Sequence, residues 1–175
     1  MIRLFFEKLS RNMFKPYLFW TQSKKEKSFK QVLSYFGVLA LFISILFFAV
    51  ELRKGSFLNL ALFLGVFVFI ALIVASFVYS FLFYISSKIF KLKLNFLQAY
   101  KLSAYSLTPQ VLFYLIPIIG PLFVIYTIII KAMGMKTFFK ISDAKIVGII
   151  FLTYVFLFLL ALLFSFIWIF LMIGY

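Results

Sequence analysis

The residues best able to do chemistry in this chain stand at the head of one apolar run. From Ala104 to Lys136 it reads AYSLTPQVLFYLIPIIGPLFVIYTIIIKAMGMK, and Ser106, Thr108 and Gln110 bring hydrogen-bonding side chains beside the helix breaker Pro109. At about 3.6 residues per turn, Ser106, Gln110, Phe113 and Pro117 share one stripe, with Thr108 nearly opposite. Ser106 and Gln110 could therefore contact a polar ligand or an ion inside a bilayer. The same residues allow a structural reading. Pro109 has no N–H for the carbonyl of Tyr105, and its ring crowds that carbonyl; neighbouring hydroxyls and amides satisfy such freed backbone groups in lipid. Tyr105, Ser106, Thr108, Pro109 and Gln110 then form a hinge, and Gly120 with Pro121 turns the chain back after it. The residues favour the hinge. Further along, Lys131 reads as an end residue whose ammonium snorkels to the headgroups.

Other chemistry lacks its parts. The sequence has no Cys and no His, and its four carboxylates, Glu7, Glu26, Glu51 and Asp143, all fall between apolar runs. Thiolate and imidazole ligands for zinc are missing, and so is the usual general base at neutral pH. Membrane proteases need a Ser with a base, paired Asp, or His/Glu ligands, and none of these sets can be assembled. Proton- and cation-coupled transporters place carboxylates or His within the bilayer, where a bare ion costs too much without a partner. The expectation is a protein that is not an enzyme, with no cofactor and no metal.

The elements that must position these groups are membrane helices. With 66% hydrophobic residues, a mean hydropathy of +1.19 and 28 Phe among 175 residues, no soluble domain could cover the apolar surface. The pattern predicts an all-α polytopic membrane protein, a bundle of five transmembrane helices over residues 31–50, 57–85, 104–119, 121–135 and 146–174. Residues 31–175 form that domain, and residues 1–30 a basic amphipathic segment that is cytoplasmic or interfacial. The second run exceeds the ~20 residues a bilayer needs, so it tilts or projects beyond the lipid. Residues 86–103 mix Lys with apolar side chains and are expected along the interface.

Charge supports the count. The net charge of +14 is distributed between the apolar runs, a pattern that sets orientation and gives no reason to expect nucleic acid. Eight Lys or Arg precede the first span, four follow the second, and four stand at the end of the fourth or after it (Lys131, Lys136, Lys140, Lys145), sixteen on one side against the two of the first turn, Arg53 and Lys54. The positive-inside rule then puts the N-terminus in the cytoplasm and Tyr175 outside. Merging the third and fourth spans would spoil that asymmetry.

The segment IRLFFEKLSRNMF places Ile2, Phe5, Phe6, Leu9 and Met13 roughly on one side, with Arg3, Lys8, Arg11 and Asn12 largely elsewhere. That fits an in-plane amphipathic helix ending near Pro16; without a sustained apolar core or a small-residue cleavage site it is not read as a secretory signal peptide. Each Lys or Arg near an anionic leaflet contributes roughly 1 kcal/mol. Arg3, Lys8, Arg11, Lys15, Lys24, Lys25 and Lys27 are accordingly the candidate contacts to anionic lipid head groups, with a regulated lipid or partner site as the sharper reading. Small residues recur four apart, at Ala40/Ser44, Ala61/Gly65, Ala71/Ala75, Ser76/Ser80 and Ala161/Ser165. They permit close helix approach, within the bundle or between copies, and ordinary packing is the simpler account.

The stretch from Asn95 to Ile150 resembles the Yip (Ypt-interacting protein) domain. The matching features are a Tyr-x-x-x-Pro opening of the third span (Tyr105, Pro109), short third and fourth spans, and Gly-x-Lys after the fourth (Gly134, Lys136). FKISDAKIVGII resembles the start of the family's last helix, with Ser-Asp-Ala-Lys in place of Ser-x-x-Lys-Ala. FKPYLFW, before the first span, resembles a Pro-plus-aromatic segment of prokaryotic members. The resemblance covers most of the chain and implies five spans, a cytoplasmic N-terminus and an outside C-terminus. Eukaryotic members sit in Golgi and endoplasmic-reticulum membranes, bind prenylated Rab-type GTPases and help form or target vesicles. They carry a long cytosolic N-terminal region with an Asp-Leu-Tyr-Gly-Pro motif; here about 30 residues precede the first span and the motif is missing, so no residues carry over for a small GTPase. The wealth of Phe, Lys, Ile and Tyr fits an A/T-rich genome and a prokaryotic-type member in the cell membrane of a bacterium or archaeon.

Two classes of function stay open. One is a non-catalytic protein of membrane organisation, trafficking or recruitment, whose basic face meets lipids, membrane-protein partners or further copies of itself. The other is a small transporter or channel using the polar stripe of span three. The lack of intramembrane acids favours the first.

Overall fold

The structure, a computed structural model, describes residues 2–26, 28–113, 116 and 120–173. Among them lie seven helices and no strand: α1 (Ile2–Phe14), α2 (Pro16–Ser23), α3 (Phe29–Arg53), α4 (Leu58–Ile89), α5 (Phe96–Phe113), α6 (Gly120–Phe139) and α7 (Asp143–Ile173). The all-α expectation holds. Four helices, α3, α4, α6 and α7, are long and apolar enough to cross a membrane, which makes this a multi-pass membrane protein. They match the expected spans one, two, four and five to within a few residues.

Span three differs. The expected interfacial link over residues 86–103 is mostly helix: its first residues extend α4 to Ile89 and its last ones open α5 at Phe96. A capping box explains the early start. Asn95 Oδ1 accepts from the Gln98 backbone N–H at 2.9 Å, and Gln98 Oε1 accepts from the Asn95 N–H at 2.9 Å, which satisfies two donors that a helix start leaves open. The α4–α5 turn is six residues long, with Lys91 in the left-handed region at φ 55. Helix α5 runs unbroken through Pro109 and is buried from Ala99 to Ala104 on every face. It is not among the helices apolar enough to cross a membrane on composition.

The expected reversal at Gly120–Pro121 is also displaced. Both residues belong to the first turn of α6, where Pro needs no partner for the N–H it lacks. Of residues 114–119, between α5 and α6, only residue 116 is described.

Helix α3 packs against α4 and α5, α4 also against α5 and α7, and α5 against α6. Close approach of α3 and α4 uses the small residues read from the sequence: a Cβ at Gly65 would stand 3.3 Å from Phe48 Cβ and 3.4 Å from the Ser44 carbonyl. Ala40, Ser44, Ala61, Ser76 and Ser80 are buried with it, whereas Ala71, Ala75, Ala161 and Ser165 are exposed. The core sits at one end of the bundle, where α2 packs on α6 and α1 on α5.

Candidate interface at the N-terminal helices

The carbonyl that Pro109 leaves without a helical donor is satisfied from the far end of the sequence. Asn12 of α1 is fully buried, and its Nδ2 donates to the Tyr105 carbonyl at 2.7 Å. The sequence pattern puts Asn12 on the polar side of an in-plane helix, and the structure turns it inward. It stands seven residues after Phe5 and four after Lys8, so the face that meets the bundle contains all three, while Phe6 and Phe14 are left exposed. The neighbouring hydroxyls expected to repair that carbonyl bond other carbonyls of α5 instead. Ser106 Oγ donates to the Ser103 carbonyl at 3.0 Å and Thr108 Oγ1 to the Ala104 carbonyl at 3.4 Å, and the Tyr35 hydroxyl lies 3.3 Å from Thr108 Oγ1. Ser106, Thr108 and Pro109 are buried and Gln110 is half-buried.

Helix α2 brings the aromatic half of the contact. Pro16 opens it, Phe19 and Trp20 are buried, and the Trp20 indole N–H donates to the Ile130 carbonyl at 2.9 Å. Gly134 makes room: a Cβ there would stand 2.6 Å from Leu102 Cδ2 and 2.7 Å from Trp20 Cε2. The Tyr105 ring meets Phe19 and Tyr35 edge-on at 4.9 and 5.0 Å, the geometry aromatic quadrupoles favour. The Tyr126 hydroxyl donates to the Met13 carbonyl.

A polar clamp closes the other side. Lys101 is buried, and its ammonium donates to the carbonyls of Ser23, at 3.1 Å, and Glu26. The Glu26 carboxylate accepts the Tyr105 hydroxyl at 2.6 Å and pairs with Lys8. The sequence pattern places Lys101 among four interfacial lysines, and the structure buries it. The small and apolar residues around it in QAYKLSAYS are the sequence signal for a buried helix face. Neither Trp20 nor Glu26 was anticipated.

Between α1, α2 and the start of α3 lies a cleft of about 830 Å³ with Phe5, Phe19 and Tyr35 inside and Lys8, Arg11 and Lys30 on its walls. Of the candidate lipid contacts, Arg11 reaches Glu7 at 2.5 Å and Gln22 at 2.5 Å, Lys24 donates to the Thr137 carbonyl at 3.3 Å, and Lys15 and Lys25 are exposed. Arg3 lies on α1, its side chain undescribed, and Lys27 falls outside the described residues.

Lys131 corrects the sequence reading. It is buried rather than snorkelling, with Nζ at 3.7 Å from the Tyr79 ring centre and 4.1 Å from that of Phe83. It stands twelfth in a 20-residue helix, too far from either end for its stem to reach water. Neither its ammonium nor the buried Thr127 hydroxyl one turn earlier has a hydrogen-bond partner among the described residues.

No grouping of three or more His, Cys, Asp or Glu that could hold a metal occurs among the described residues. The polar stripe of span three is absorbed in packing and lines neither the cleft nor the apolar groove between α3 and α4. Neither a curated protein nor a solved structure matches the chain. The model of the Yip1 domain matches residues 11–169, so it takes in Asn12, Trp20, Lys101, Tyr105 and Gly134 together, and the chain belongs to the Yip1 domain family.

Proposed function

We propose that this Yip-type membrane protein is non-catalytic and organises membrane or recruits partners through its N-terminal face. The observation that carries the reading is the pinning of α1 and α2 onto α5 and α6 by Asn12, Trp20 and Lys101. A fixed surface results, with Lys15, Lys24 and Lys25 beside exposed Phe14, Tyr17 and Leu18, a mixture suited to the lipid–water boundary. On this reading α5 is a fifth span carried by its neighbours, residues 105–110 act as a hinge, the N-terminus is cytoplasmic and Tyr175 lies outside, in a bacterial or archaeal cell membrane. A reporter fused after Tyr175 should report the outer side, and a cytoplasmic signal would sink the five-span topology. Crosslinking from native membranes should capture partners or further copies at the α1–α2 face, with a triple Glu substitution of Lys15, Lys24 and Lys25 abolishing capture. Gradient-driven solute uptake by purified protein in liposomes, lost in Gln110→Ala, would establish the transporter reading instead.

A further inference from the structure

We propose that one anionic phospholipid is seated in this protein, its headgroup in the cleft between α1, α2 and α3 and an acyl chain in the groove between α3 and α4. Two cavities lie end to end along one face of α3. Ser34 and Val38 line the cleft, and Leu41, Ile45 and Phe48 line the groove, a cavity of about 240 Å³. These residues follow one another at steps of four, three, four and three, so they fall on one stripe of roughly 100°. From Ser34 to Phe48 the stripe is about 21 Å long at 1.5 Å per residue, enough for a chain that crosses half of a ~30 Å hydrocarbon core.

Polarity changes along the stripe as it does along a lipid. Ser28, Lys30, Gln31 and Ser34 belong to the cleft, and past Val38 the walls are apolar. Ser44, the one hydroxyl in the groove, is turned back onto the Ala40 carbonyl at 2.6 Å, so nothing there calls for water. Gly65 keeps the groove open, because a side chain would press on Phe48 Cβ.

Charge names the headgroup. The cleft holds Lys8, Arg11 and Lys30, with Lys25 on the adjoining wall, against Glu7 and Glu26, an excess of two positive charges. Both carboxylates are engaged, Glu7 by Arg11 and Glu26 by Lys8 and the Tyr105 hydroxyl, whereas Lys30 makes no ion pair among the described residues. A phosphodiester fits that excess, and the apolar continuation selects a lipid over a soluble phosphate. The inference rests on α3 being a membrane span; it stands or falls independently of any partner at the α1–α2 face.

The test is native mass spectrometry of the full chain, delipidated in mild detergent and titrated with dioleoyl phosphatidylglycerol, dioleoyl phosphatidylcholine or glycerol 3-phosphate. One phosphatidylglycerol should be retained at least about five-fold better than phosphatidylcholine, and glycerol 3-phosphate should not compete. Lys30→Gln should weaken phosphatidylglycerol about five-fold, as one cation near an anionic headgroup predicts, and leave phosphatidylcholine unchanged. Ile45→Trp, which fills the groove, should weaken both lipids at least about five-fold, while Ile70→Trp elsewhere on α4 should not. Photoactivatable phosphatidylglycerol on the parent chain should label residues 41–48 and 62–69, which keeps the test open if Ile45→Trp fails to fold. Equal retention of the two lipids, competition by glycerol 3-phosphate, or labelling away from the groove would overturn the proposal.

Discussion

Replacing Asn12 by Ala should loosen the N-terminal helices, and replacing Pro109 by Ala should make that loss smaller. Asn12→Ala removes the donor that satisfies the Tyr105 carbonyl inside the protein. A buried acceptor left unpaired costs about 1–3 kcal/mol, while interhelical hydrogen bonds in membrane proteins average about 0.6 kcal/mol. Asn12 Oδ1 is itself buried without a partner among the described residues, so truncation also relieves a polar group and trims the upper figure. The expected loss is about 1–2 kcal/mol, roughly a 5- to 30-fold shift toward the undocked state. Pro109→Ala supplies the missing N–H to the same carbonyl, so the two substitutions should couple by at least about 0.5 kcal/mol. Asn12→Asp turns an acceptor onto an acceptor and should be worse than Ala. The assay is a double-mutant cycle of denaturant unfolding in mixed micelles, read in parallel by trypsin cleavage after Lys8 and Arg11 on α1. Strict additivity of Asn12→Ala and Pro109→Ala would refute the claim that Asn12 replaces the donor that proline removed.

Three further outcomes are expected. Gly134→Ala should expel Trp20 and cost about 1–3 kcal/mol as an overpacked site; in a Trp168→Phe background the remaining indole emission should shift to the red, and an unshifted spectrum would contradict the 2.7 Å approach to Trp20. Lys131→Met should be neutral or stabilising by up to about 2 kcal/mol, since it removes a buried ammonium without a hydrogen-bond partner among the described residues. A clear loss of melting temperature would instead credit its contacts with the Tyr79 and Phe83 rings. Glu26→Gln should expose the Lys24–Lys25 region to trypsin several-fold faster by unpairing Lys8, and unchanged cleavage would mean the clamp contributes nothing to docking.

How much of this was legible from the sequence depended on the range of each interaction. Long apolar runs gave α3, α4, α6 and α7 directly, because lipid demands length and hydropathy of a helix and little else. The start of α5 was written in Asn95 and Gln98 as a capping box, but Lys91, Lys93 and Lys101 masked it by resembling an interfacial link. The freed carbonyl of Tyr105 followed from Pro109 alone. Its partner did not: Asn12 lies 93 residues away, and no periodicity joins α1 to α5. The burial of Lys101 and Lys131 was hidden for a related reason. Each is compensated by groups on other helices, backbone carbonyls of α2 and its exit in one case and aromatic rings of α4 in the other.

The distance in sequence between Asn12 and Tyr105 sets an order of events during synthesis. Asn12 emerges from the ribosome long before the carbonyl it serves, and must wait for three helices to be made. When α5 appears, it carries Lys101, several hydroxyls and an open carbonyl, and is too polar to enter lipid on its own composition. On the five-span reading proposed above, its insertion depends on segments made earlier, α1, α2 and α3, which hold the groups that neutralise it. A truncated chain ending shortly after Phe113 should be able to seat α5, whereas a chain starting after Lys30 should leave it at the surface, open to membrane-associated proteases. The N-terminal thirty residues would then act as a folding template for the centre of the protein before they act as a surface for anything else.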